Sequence, residues 1–284
     1  MPKVAVVTDS ACDLRPELQE KYGITVVPLV IRFGQEVYLY GQITLDQYWE
    51  KVAEGTHPPE TSQPSAGQFE QAFAPLVEKG YHVLCLTVTS KHSGTFNSAY
   101  AASQSFPGKV TVFDTLAISL GHGYQVIAAA EAAAAGRSVE DILVMLESIR
   151  ARTHMVICLD TIEFIRRGGR ADKLIPALDR MTRVFKIKVL LHVVEGELKP
   201  MGVARSRAKS VLRMKDDIAR HGPAEMLIVA HTRLPDEVAS LAESLAEQEG
   251  FPLHDILVGE VGPALSSHAG PYALAAAIVQ REAR

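Results

Sequence analysis

Small hydroxyl residues and glycines, rather than charges, gather where this sequence could hold a ligand. Thr61-Ser62 stands in the segment THPPETSQPS, and Ser93-Gly94-Thr95 opens a helical pattern. Ser119, Gly121 and Gly123 follow Asp114-Thr115, and Ser266-Ser267-His268-Ala269-Gly270-Pro271 makes a fourth polar knot. Such residues suit an anion held by hydrogen bonds. A helix N-terminus offers unpaired N–H groups and roughly half a positive charge. Ser93 adds a hydroxyl donor and Gly94 lets a ligand approach the backbone. Each residue also has a plainer role. Ser followed by Gly is an ordinary helix start, Thr61 and Ser62 are turn formers, and His268 can simply stabilise its own loop. Asp9, at the end of the first apolar run, suits a cap better than a metal or phosphate.

Familiar enzyme signatures are missing. The first half has no G-x-x-x-x-G-K-[ST] loop, and Gly121-His122-Gly123 is followed by Tyr124-Gln125-Val126, which breaks the dinucleotide pattern. Ser93 lacks the preceding glycine of a nucleophile elbow, and His92 beside it is not thereby placed as a base. No His or Cys pair has metal-ligand spacing, so neither metal nor cofactor is expected. Catalytic residues converge in space, so a hydrolase or phosphotransferase using Ser93 and His268 on an acyl or phosphoryl substrate stays open. So does an interaction module reading a ligand through Arg205 and Arg207.

The elements that must position these residues belong to a chain of 284 residues, 47% hydrophobic and 22% charged, with room for two domains. The net charge of −4 carries no basic excess of the kind that marks nucleic-acid or anionic-membrane binders. Cys12, Cys85 and Cys158 lie far apart; two of them sit in the apolar runs VLCL and VICL and read as small buried side chains. The start, MPKVAVVTDS, has one Lys and an apolar run shorter than a signal peptide is expected to carry, and Val126–Ala135 is too short to span a bilayer. A reducing, cytoplasmic compartment is expected.

Short β-rich runs alternate with helical patterns throughout. Lys3–Thr8 reads as a strand, Asp13 as the cap of a helix through Leu14, Leu18 and Tyr22, and Ile24–Ile31 as a second strand. The prolines of THPPETSQPS forbid regular structure; Ser65 with Gln68, and Ser138 with Asp141, make capping boxes. Glu195-Gly196 signals a hairpin between Lys186–Val194 and Glu197–Val203, and a helix from Pro271 closes the chain. The pattern predicts an α/β fold of two domains with largely parallel sheets, the second carrying an antiparallel hairpin. The boundary falls near residue 154, and a ligand tunnel between or beside the domains is expected.

Seven stretches then acquire a joint meaning: VVTDSACDL at 6–14, TSQPS at 61–65, SKHSGTFNSA at 90–99, DTLAISLGHG at 114–123, FIRRGGR at 164–170, KPMGVARSRAK at 199–209 and VGPALSSHAGP at 261–271. In order and spacing the chain resembles the DegV family, fatty-acid-binding proteins that work with a separate fatty-acid kinase. The resemblance implies a non-catalytic protein. Residues 1–154 would carry the carboxylate-binding loops and 155–284 would cover a long, palmitate-like acyl chain. Thr61 and Ser93 would bind the carboxylate, with the Gly94 backbone and His268 as companions and Arg170 supporting the head-group network. Arg205 and Arg207 resemble the region that docks the kinase; the partners implied are a long-chain fatty acid, that kinase and transient membrane contact, in lipid transport or fatty acid metabolism. Lys91-His92, Ala171 and Tyr272 depart from the family pattern, Tyr272 standing where glycine is common.

Overall fold

The computed structural model describes residues 2–169 and 187–282. Two compact units form: one from 1–150 with 262–264, the other from 151–261 with 265–284.

The first unit is built on a parallel sheet ordered β2-β1-β6-β7, where β1 is Val4–Asp9, β2 Thr25–Val27, β6 His82–Thr87 and β7 Val110–Asp114. Its strands read as near-continuous apolar runs because both faces are covered. On one face Val7, Val83 and Cys85 pack with Phe69 and Phe73 of α3 (Ala66–Glu78) and with Ala99 and Ala102 of α4 (Thr95–Ser103). Helix α5 (Ser119–Ala134) packs on β1 and β6. The Ser65 capping box forms, with Gln68 N–H donating to Ser65 Oγ at 3.3 Å and Ser65 N–H to Gln68 Oε1 at 2.9 Å; Ser138 Oγ accepts from Asp141 N–H at 3.1 Å, but the Asp141 carboxylate takes the Ser138 hydroxyl at 2.8 Å.

A second, antiparallel sheet in this unit runs β4-β3-β5, with β3 Val30–Phe33, β4 Glu36–Leu39 and β5 Pro59–Ser62. It rests on Tyr48 and Trp49 of α2 (Leu45–Glu54). Here the structure corrects two expectations. The run 24–31 is two strands, not one, because Pro28 interrupts it. The proline loop holds a strand after all: Pro59 begins β5 at the sheet's edge, pairing only with β3, where a missing N–H can face outward.

The second unit has a mixed sheet ordered β10-β9-β8-β13-β11-β12. Its strands are β8 Thr153–Leu159, β9 Lys188–Val194, β10 Glu197–Ala204, β11 Ala224–His231, β12 Leu257–Glu260 and β13 Leu274–Gln280. The hairpin turns at Glu195 and Gly196 with φ of 50° and 78°, as a two-residue turn with both centres left-handed requires. Antiparallel pairing runs further than the hairpin implied, since only β11 and β12 are parallel. The cause is the end of the chain. LAAAIVQ, read as helix from its alanines, is the strand β13 between β8 and β11, its residues mostly buried. Sheet burial overrides alanine's helix preference here. The helix lies earlier, at Pro263–Ala269 (α10), and Gly270 ends it at φ 73°. The core of this unit joins Val156, Cys158 and Leu190 to Met214 and Ile218 of α8 (Arg207–Ala219), and to Leu241 and Leu245 of α9 (Pro235–Glu249). All three cysteines are free and buried.

One approach in the first unit is unusually close. A Cβ at Gly123 would lie 2.5 Å from the carbonyl oxygen of Cys12 and 2.9 Å from Leu14 Cδ2. Alanine normally improves a helix over glycine by about 1 kcal/mol. At Gly123 the sign reverses: Gly123→Ala is expected to destabilise the fold by on the order of 2 kcal/mol, because backbone must move. Urea unfolding checks this, and a variant at least as stable as wild type refutes the close fit.

Candidate functional site

The parallel sheet reverses its direction of growth between β1 and β6, because β2 adds on one side of β1 and β6 with β7 on the other. Ligands of open α/β sheets bind outside the carboxyl ends of the strands at such a reversal. Asp9 spans it. Its Oδ1 accepts from Ala11 N–H at 2.9 Å and its Oδ2 from Val88 N–H at 2.8 Å, so one carboxylate ties the loop after β1 to the loop after β6. Asp9 is thus a cap, as its position suggested. The loop after β6 is held from its other side by Asp114, whose Oδ1 accepts from Ser90 N–H at 3.2 Å and from Leu116 N–H at 3.0 Å.

That loop delivers Ser93 and Gly94 to the start of α4. The helix opens two residues later than expected, with Gly94 as its N-cap. Ser93 Oγ accepts from Thr95 N–H at 3.2 Å and lies 2.7 Å from Thr95 Oγ1. Thr95 is buried and Ser93 half-buried. When the inner hydroxyl donates to Ser93, the outer one keeps its own proton for a ligand. Lys91, beside it, is exposed and His92 half-buried.

Thr61 sits in β5 opposite Ile31, half-buried. Two residues on, Gln63 reaches the serine loop. A Cβ at Gly94 would lie 2.4 Å from Gln63 Nε2 and 3.0 Å from Oε1, so the carboxamide occupies the place a side chain would take. The structure therefore brings the TSQPS and SGT segments together within the first unit.

Behind these loops lies a buried polar layer that sequence reasoning missed. Thr8 Oγ1 and His122 Nε2 are 2.8 Å apart, and burial lowers the His122 pKa, with the Asp9 charge opposing. Burial raises Asp9 in turn, against His122 and two backbone donors. Asp13 does not cap the following helix, which begins at Pro16 behind Arg15. Its own φ is 51°, its Oδ2 accepts from Ser119 Oγ–H at 2.6 Å and its Oδ1 from Gly262 N–H at 3.0 Å. Burial pushes its pKa up to about 7. These partners stand 106 and 249 residues away, so no spacing could have announced them.

In the second unit His268 lies in the last turn of α10, against Gly168: a Cβ there would be 2.3 Å from His268 Nδ1. Gly270 meets Phe164 in the same way, at 2.6 Å, so the HAG and FIRRGG segments pack together. Arg170 and Ala171 lie outside the described residues. Arg205 is exposed. Arg207 is engaged internally, its Nη2 3.0 Å from Asp160 Oδ1 and its Nε 3.2 Å from Glu237 Oε2, while Lys188 also pairs with Asp160. Tyr272 adopts φ 61°, which explains why glycine suits that position. Among the described residues no group of three or more His, Cys, Asp or Glu is placed to hold a metal ion, and no helix is long and apolar enough to cross a membrane.

Fold and loops together define a two-unit α/β protein with hydroxyl and amide groups at a strand-end site. The chain belongs to the DegV family: the family model, described as "Uncharacterised protein, DegV family", matches residues 3–281. A DegV domain-containing protein of Deinococcus radiodurans is 35% identical over 280 residues, covering 97% of this chain and 98% of that protein. Among solved structures, a Thermus thermophilus DegV family protein described for its fatty acid binding is similar at TM-score 0.89 and 33% identity, covering 98% and 99% of the two chains. A Thermotoga maritima protein reported to reveal fatty acid binding function gives TM-score 0.85 at 26% identity, over 98% and 99%. DegV of Bacillus subtilis, described as a fatty acid binding protein, gives 0.83 at 28%, over 98% and 99%.

The Asp13 geometry yields a pH dependence. A folded-state pKa near 7 against an unfolded value near 4 means that the folded chain binds the extra proton between these limits. Stability from this group therefore falls as pH rises through that window and is level above it. Asp13→Asn mimics the protonated form, keeping an acceptor for Gly262 and a donor for Ser119. Relative to that variant, wild type is expected to lose on the order of 2 kcal/mol between pH 5 and pH 8. Asp9 and His122 are present in both chains, so the difference isolates Asp13 together with its coupling to Asp9; urea midpoints whose difference does not change with pH contradict it.

Proposed function

We propose that this protein binds one long-chain fatty acid, holds its carboxylate at Thr61, Ser93 and the Gly94 backbone, and presents that head to a partner fatty-acid kinase. The observation that carries this reading is the seating of Gln63 on Gly94, which sets the threonine-bearing strand beside the serine-bearing helix start. The fatty acid binding described for the Thermus, Thermotoga and Bacillus relatives supports it. Hydroxyls and amides suit a carboxylate that stays chemically unchanged. A buried carboxylate without partners would cost several kcal/mol, whereas each CH₂ of the acyl chain contributes about 0.8 kcal/mol in an internal tunnel. The family resemblance assigns His268 and Arg170 to the same carboxylate, and Arg205 with Arg207 to docking the kinase. Arg207 is half committed to Asp160 and Glu237, so the exposed Arg205 is the stronger docking residue. The acyl phosphate would form on the kinase, which brings nucleotide and metal. Ser93 as a nucleophile has less support: among the described residues its hydroxyl bonds only to Thr95, not to a histidine.

Protein purified from cells is expected to carry about one fatty acid per chain by native mass spectrometry. Repeated recovery of folded, lipid-free chain that takes up no palmitate refutes the reading. Thr61→Val and Ser93→Ala each remove a hydrogen bond to a buried charge, so palmitate affinity should fall by about 1.5–3 kcal/mol, roughly 10- to 150-fold. Wild-type affinity in both variants moves the carboxylate elsewhere.

A further inference from the structure

Gln63 lies over the Gly94 loop, yet the fatty-acid reading gives it no contact with the ligand itself. Its side chain is exposed, it carries two N–H donors, and among the described residues its carboxamide forms no hydrogen bond. The amide lies over Gly94: Nε2, Cδ and Oε1 are 2.4, 2.8 and 3.0 Å from where a Cβ of residue 94 would stand. The glycine at 94 thus leaves room for this amide, one residue from Ser93 and one from Thr95, the first residue of the helix. A neutral donor with no hydrogen bond among the described residues lies beside the helix start, which exposes its own N–H groups.

We propose that Gln63 sets the charge preference of the head-group site, adding a neutral amide donor over Gly94 that favours a carboxylate over an uncharged polar head. The inference rests on the fatty-acid reading and goes beyond it by assigning selectivity to a residue outside the set of Thr61, Ser93 and Gly94. A carboxylate side chain at 63 would set like charge beside the bound head, whereas an alcohol head would not feel it.

The test uses the delipidated full-length chain with palmitate and hexadecanol as probes at pH 8. Gln63→Glu is expected to lower palmitate affinity at least tenfold and change hexadecanol affinity less than twofold. Gln63→Ala should weaken palmitate binding about threefold to tenfold. Gly94→Ala evicts the amide, so it should lose as much as Gln63→Ala, and the double variant should lose no more than either. Gln63→Glu binding palmitate as wild type, or losing both probes equally, overturns the inference while wild-type palmitate binding keeps the parent reading intact. Wild type that binds no palmitate removes both. Residue 63 is exposed, and matching thermal midpoints confirm that the variants fold.

Discussion

A parallel sheet covered on both faces leaves the backbone donors just beyond its strand ends away from water, and each one left unpaired would cost about 1–3 kcal/mol. In the first unit one carboxylate answers this at the centre of the sheet. Asp9 serves Ala11 on its own side and Val88 on the other, so the loops after β1 and β6 are fixed to a common point. Everything downstream follows from that anchoring: the path of residues 88–94, the glycine at the start of α4, and the half-exposed serine before it. A buried carboxylate is unfavourable in isolation, and burial raises its pKa, but two N–H donors and His122 act against that rise.

Much of this was readable from residue order. Strand–helix alternation, the hairpin at Glu195-Gly196 and the helix starts at Ser65 and Ser138 rest on local chemistry, and local chemistry decides them in the folded chain too. The DegV motifs were visible because most of them set glycines or small hydroxyl residues at turns and helix starts in a fixed order. Membership of the family then carried over the whole chain.

What sequence could not disclose were decisions made by tertiary packing. Alanine-rich LAAAIVQ looks helical alone and becomes a strand because β8 and β11 hold it on both sides. Pro59 looks like a strand breaker and is harmless at an edge. Asp13 looks like a cap for the helix that follows, yet spends its acceptors on Ser119 and Gly262. The seating of Gln63 on Gly94 has no local signature, since a glycine chosen for a neighbour's side chain resembles one chosen for a turn.

The Asp13–Gly262 bond bears on how the polypeptide could be dissected. Residues 262–264 belong to the first unit although the chain on either side of them belongs to the second. A fragment ending at Arg150 would keep the aspartate and lose the amide that reaches it from far along the sequence, leaving an interior acceptor short of a donor. The seam that looks simplest on paper therefore does not yield a self-sufficient piece, and a separable amino-terminal unit would need that short tripeptide grafted back or Asp13 replaced.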